Sequence, residues 1–210
     1  MGTKITSVPY TISTPGFYYL SGNLTFSAGG QAISINADDV TLDLMGFSLT
    51  YSGTSDAIGI YVQGRKNVEI RNGTVRGFSS GVVEASNNAI NYRAINVRAT
   101  GNNTGFLFYG TNHLIKGCNA SNNSNVGIYL RSGIITDCVA SNNNYGINVS
   151  GPSNVLGNAA FNNNIQNFKF GMGVPTAILV DRNSAFGLAT NYVIPGGTTG
   201  VQMGTNAGTP

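Results

Sequence analysis

The chain has 210 residues and a mass of 21.9 kDa, is 9% charged and 41% hydrophobic, and carries a formal charge of +3. A disordered chain would show high net charge or little apolar content, so one compact domain with a buried core is expected. Its 11 Lys and Arg are scattered, with no basic run longer than Arg65-Lys66, which argues against nucleic acid, and no apolar stretch reaches the ~20 residues that span a bilayer.

Twenty-nine glycines and 28 asparagines imply a surface polar through amides and hydroxyls rather than through charge. In chain order, residues 1–30 read as an N-terminal cap. Tyr10-Thr11-Ile12, Phe17-Tyr18-Tyr19-Leu20 and Leu24-Thr25-Phe26 are aromatic-rich strands, broken at Pro15-Gly16. Residues 31–188 read as coils. The early ones are long: Ile33-Ser34-Ile35 with Val40-Thr41-Leu42-Asp43-Leu44, then Ile58-Gly59-Ile60 with Val68-Glu69-Ile70. Residues 189–210 read as a last strand, Tyr192-Val193-Ile194, and a loose tail rich in Gly and Thr.

The later coils carry an internal repeat. Residues 115–123 (IKGCNASNN) return after a shift of 20 as residues 135–143 (ITDCVASNN), and a further shift of 21 reaches residues 156–164. Residues 94–102 fit the same template, and each copy precedes a short alternating strand. So short a period has no room for a helix and strand pair, and the framework of a leucine-rich repeat is absent. The expected fold is all-β: a single-stranded right-handed parallel β-helix, a solenoid with coils of about 20–25 residues.

In-register stacking would build inner columns from Phe106, Ile128, Ile147 and Phe168, and from Phe108, Leu130, Val149 and Phe170. Ile115, Ile135 and Leu156 would line a second wall. Asn102, Asn123, Asn143 and Asn164 would form an asparagine ladder at a turn, where asparagine tolerates the left-handed conformation.

Residues 32–47 and 67–78 resemble the opening coils of bacterial right-handed parallel β-helix repeat proteins of the pectate-lyase-like superfamily, and the resemblance extends over nearly the whole chain. It implies the fold. It does not choose an activity, because the superfamily holds lyases, hydrolases, epimerases and phage tailspikes. A lyase of this kind would use calcium held by several carboxylates with an Arg or Lys base. Otherwise no cofactor is expected.

Among candidate site residues, Asp43, Glu69, Arg71 and Arg93 form the best polar cluster, with Asp43 beside Arg71 and Glu69 between Thr41 and Arg93. Cross-coil ion pairing is its simpler reading, and two acids are few for a calcium site. Asp38-Asp39 suit a turn. The single histidine, His113, aligns with Gly133 and is expected at the surface, so no metal site is assembled around it. Cys118 and Cys138 occupy equivalent places on successive coils and are expected reduced and buried. Glu84 would enter the Phe108 column as a buried charge unless the strand slips by one residue, and that slip is expected. Tyr61, Tyr109, Tyr129 and Tyr145 are outward aromatics suited to sugar.

Three functions follow. The first is a non-catalytic, secreted or cell-surface β-helix that acts as a scaffold or binds polysaccharide. The second is a lyase or glycoside hydrolase acting on an acidic glycan, and the third a trimeric adhesin or tailspike-like module. The chain is accordingly expected as monomer or trimer.

Overall fold

A computed structural model describes residues 2–171, 176–188 and 190–208. Ala189, Thr209 and Pro210 of the expected tail lie outside the described residues. Within them the chain folds into twenty-five short strands that pair only in parallel, in about eight full turns of a solenoid. No helix is long and apolar enough to cross a membrane among the described residues.

A representative turn runs through a front-wall strand, His113–Lys116, a side-wall strand, Asn119–Ser121, and a back-wall strand, Val126–Leu130. The next repeats it as Gly133–Thr136, Val139–Ser141 and Tyr145–Val149. The back wall is a nine-stranded sheet. Front and side walls share a 16-stranded sheet, because Val68–Arg76 and Arg93–Thr100 cross the corner unbroken.

The corners explain the Asn and Gly content. Those on either side of the side wall are turned by a residue in the left-handed region, which Gly adopts freely and Asn and Asp more easily than other residues. Between front and side walls stand Asn72, Asn96, Gly117, Asp137 and Gly157, with φ of 57°, 55°, 62°, 58° and 66°. Between side and back walls stand Gly101, Asn122, Asn142 and Asn162, with φ of 65°, 56°, 56° and 55°.

Inside, like packs on like. Phe106, Ile128, Ile147 and Phe168 stand in register, as do Phe108, Leu130, Val149 and Phe170. All eight side chains are buried, and each such burial stabilises by about 1.5–3 kcal/mol. Gly16–Leu20 and Leu24–Phe26, the segments read as a cap, stack in the same parallel register on Val40–Asp43 and Ser48–Tyr51. The expected last strand, Tyr192–Val193, closes the back wall, and Val201–Met203 adds one further front-wall strand.

The repeat departs from the expected register at one place. Ile135 pairs with Val155, not Leu156, so Val155 is the buried residue and Leu156 turns outward. The shift there is 20 on the front and side walls, and the twenty-first residue is Ile165, exposed at the following corner. Asn163 therefore replaces Asn164 in the buried ladder. Asn123 donates from N and Nδ2 to Asn143 Oδ1 (2.9 and 2.9 Å), and Asn143 repeats this to Asn163 (3.0 and 3.0 Å). Each Nδ2 also donates to a carbonyl of the preceding rung, Ala99 or Ala120.

A second ladder, unforeseen from the sequence, continues the cysteine column. Cys118 N–H donates to Cys138 Sγ, Cys138 N–H to Asn158 Oδ1, then Asn158 to Asn183 and Asn183 to Asn206. Both thiols are free and buried. The contact with Cys118, together with burial, pushes the Cys138 thiol up.

Candidate functional site

Parallel stacking turns alternate front-wall positions into outward columns. One runs in register through Phe17, Thr41, Glu69, Arg93, Leu114, Ile134, Asn154, Leu179 and Gln202. The column two residues further along begins Tyr19, Asp43, Arg71, Ile95, Lys116.

These two columns bring together all four charged residues singled out in the sequence. Arg71 Nε donates to Asp43 Oδ2 at 2.8 Å and Nη1 to Glu69 Oε1 at 3.0 Å, while Arg93 Nη1 lies 3.4 Å from Glu69 Oε2. Asp43 is itself buried and accepts from Met45 N–H (2.8 Å) and Asn72 Nδ2 (3.2 Å). The hydrogen bond that Arg71 donates to Asp43, with a further one to Glu69, raises the guanidinium above its ordinary pKa. The Phe17 ring lies 5.7 Å from Arg71 Cζ, within the range of a cation–π contact. Each carboxylate thus has both oxygens facing donors of the protein.

The implied calcium does not fit this set. Among the described residues no three His, Cys, Asp or Glu side chains gather to hold a metal. The Arg71 guanidinium, between Asp43 and Glu69, stands where a divalent cation would be repelled.

Above the columns three concavities follow one another, of about 460, 500 and 300 Å³. The first and second share Asn112, and the second and third share Asn154 and Ala177, so they lie end to end along the front wall as an open groove in three segments from Thr41 to Gln202. With rungs ~4.8 Å apart, its eight rungs extend over ~34 Å. The floor exposes Ile134 and Leu179.

At the groove's head, one flank is a surface ladder of corner residues: Asp39, Asn67, Asn91 and Asn112, with φ of 56°, 56°, 62° and 58°. Asn67 Nδ2 donates to Asp39 Oδ1 (2.7 Å), Asn91 Nδ2 to Asn67 Oδ1 (3.0 Å), and Asn112 Nδ2 to Asn91 Oδ1. Each amide spends one N–H on the residue before it, and Asn67 and Asn91 also accept through Oδ1 from the residue after. Sequence reasoning missed both this flank and the apolar floor. The signal was present: Leu114, Ile134 and Leu179 are apolar residues at the outward position of three of four successive coils, Asn154 standing between the last two.

The tyrosines do not form one surface. Tyr109 and Tyr129 touch, with centroids 5.2 Å apart, and Tyr129 Oη hydrogen-bonds Ser150 Oγ. Tyr61 is separated from Tyr129 by Val83 and Leu107 in the same back-wall column, and Tyr145 stacks between Val126 and Gln166 at a strand end.

His113 and Glu84 correct the sequence reading. His113 pairs with Gly133 as expected, but its side chain is buried rather than at the surface. Glu84 stays in the column between Val62 and Phe108, fully buried, without the expected slip. It is tolerated because N–H groups of Ser86, Tyr109 and Gly110 all donate to it, the last at 2.7 Å. Burial pushes Glu84 up and His113 down to about 4.

This solenoid is the architecture of one family. A model described as a right-handed beta helix region matches residues 23–191, and the chain belongs to that family. Among solved structures the chain is similar to the A-module of the mannuronan C-5 epimerase AlgE4 of Azotobacter vinelandii. Identity is 17% over 91% of this chain and 68% of that one, with a TM-score of 0.68. It is also similar to the enzymatically active domain of tailspike protein 2 of bacteriophage CBA120, 17% identical over 92% of this chain and 41% of that one, with a TM-score of 0.64. The chain therefore spans less than half of that tailspike domain. No curated protein sequence matches it. At these identities the likeness is one of fold.

Proposed function

We propose that the protein is a non-catalytic, secreted or cell-surface β-helix that binds an extended polysaccharide along its front wall. The observation that carries this reading is the row of three concavities along the solenoid axis, which combines an apolar floor with an asparagine flank and an Arg–Glu cluster at one end. Sugar rings present apolar faces and hydroxyl edges, and such a surface answers both. The name of the Azotobacter neighbour, a mannuronan epimerase, gives a precedent for polysaccharide recognition on this fold.

Binding is favoured over hydrolysis by the state of the two acids. Glycoside hydrolysis needs one carboxyl to protonate and another to attack or activate water. Here Glu69 faces two guanidinia and Asp43 is held by Arg71, Asn72 and a backbone N–H.

The test is calorimetric titration with a panel of uronate and neutral polysaccharides, paired with assays for released reducing or unsaturated ends. Binding is expected without product, and the pair Ile134→Asp and Leu179→Asp is expected to weaken it about tenfold. Product formation, or binding indifferent to those substitutions, would overturn the reading.

A further inference from the structure

Arg76 and Arg98 lie away from the groove, on the side wall. Arg98 pairs in register with Thr74 and Asn119, and Arg76 with Thr50 and Thr100, so the two stand diagonally on adjacent rungs. A rung step and two residues of strand separate their Cα atoms by ~8 Å. Both are exposed.

Their tethering is the same. Arg76 Nε donates to Thr50 Oγ1 at 3.0 Å and Arg98 Nε to Thr74 Oγ1 at 3.2 Å, each one rung back. The tether orients the guanidinium while leaving its two terminal nitrogens to solvent. Arg71, Arg93 and Arg182 each hold a carboxylate. Among the described residues the strands of the side wall carry no Asp or Glu, and neither Arg76 nor Arg98 forms an ion pair.

We infer that Arg76 and Arg98 form a second binding site, for the carboxylate or sulfate groups of an acidic glycan. Two oriented guanidinia within reach of one another suit an oxyanion, which each can meet with paired N–H donors. The surrounding wall is rich in short polar side chains, Ser48, Thr50, Thr74, Thr100, Asn119 and Ser121, which match sugar hydroxyls. Nucleic acid is the poorer partner, because single-stranded recognition interleaves cations with aromatic rings that stack on bases. The outward aromatics of this wall, Phe161 and Phe186, stand three or more rungs further on.

The test uses the full chain with heparin and polygalacturonate as sulfated and carboxylated probes, titrated at low and high salt. Arg76→Gln with Arg98→Gln is expected to lower affinity for at least one probe about tenfold and to flatten its salt dependence, with the unfolding temperature unchanged. Affinity unaltered in that double variant, or failure of the parent chain to bind either probe, would overturn the site. So would a loss produced instead by Arg93→Gln, which would move the polyanion into the groove. Equal affinity for single-stranded DNA would overturn the glycan assignment.

Discussion

At the residue scale, the pair formed by Glu84 and His113 shows how far the interior departs from a plain apolar ladder. Tyr92 N–H donates to His113 Nδ1 at 3.1 Å, so the neutral ring carries its proton on Nε2, which faces Glu84 Oε2 at 3.7 Å. The rings of Tyr92 and Phe108 pack against it. With its pKa lowered from 6.5 to about 4, His113 stays neutral in the folded chain where the unfolded chain would bind a proton. Stability is therefore fully present above pH 6.5 and declines as pH falls towards 4, by about 3 kcal/mol from this group. Glu84 acts with the opposite sign: its raised pKa means that the native state takes up a proton first, relieving a cost as the pH falls. His113→Asn can keep the acceptor for Tyr92 N–H while removing the titration. Urea unfolding from pH 7.5 to 4 should show the His113→Asn curve flatter than the parent curve on the acid side. Parallel curves would mean that His113 titrates alike in both states.

At the scale of the elements, the stacking columns of the regular coils were legible because like residues recur at matched positions. Ile128 and Ile147 pair as the pattern required, as do Ile115 and Ile135. The register beyond Asn143 was not legible, because Asn162, Asn163 and Asn164 are chemically identical and any of them satisfies a ladder read as text. Geometry decides among them: the extra residue of that coil sits at an exposed corner as Ile165, which leaves Asn163 facing inward. The candidate site divided in the same way. Asp43, Glu69, Arg71 and Arg93 were found because three successive front-wall strands carry them, whereas the groove depends on side chains contributed by eight rungs, from Thr41 to Gln202. The two asparagines give a direct comparison. Asn143→Ala removes the Oδ1 that accepts two N–H groups of buried Asn123, and should cost about 2–4 kcal/mol. Asn164→Ala, at an exposed position bonded to Asn144, should change stability by less than about 0.5 kcal/mol. Equal costs in denaturant titration would restore the ladder register read from sequence.

At the scale of the molecule, each rung contacts its neighbours and little else, so the fold is close to a one-dimensional stack. That makes a whole coil separable. From His113–Lys116 to Gly133–Thr136 to Ser153–Leu156 the front wall advances by 20 residues each time, and the side wall does the same. Excising residues 133–152 would join Ser132 to Ser153 and set Ile115 on Val155, Cys118 on Asn158, Asn123 on Asn163 and Ile128 on Phe168. Each of these inward neighbours matches the one removed in polarity, apart from that of Cys118, which exchanges a sulfur acceptor for the amide oxygen that Cys138 already uses. The shortened chain should fold to the same parallel β signature by circular dichroism and unfold cooperatively at a somewhat lower temperature. It should also bind polysaccharide more weakly, since the groove loses Ile134 and ~4.8 Å of its length. A molten or aggregated product would show that contacts beyond nearest neighbours hold the solenoid together, a term that rung-by-rung stacking leaves out.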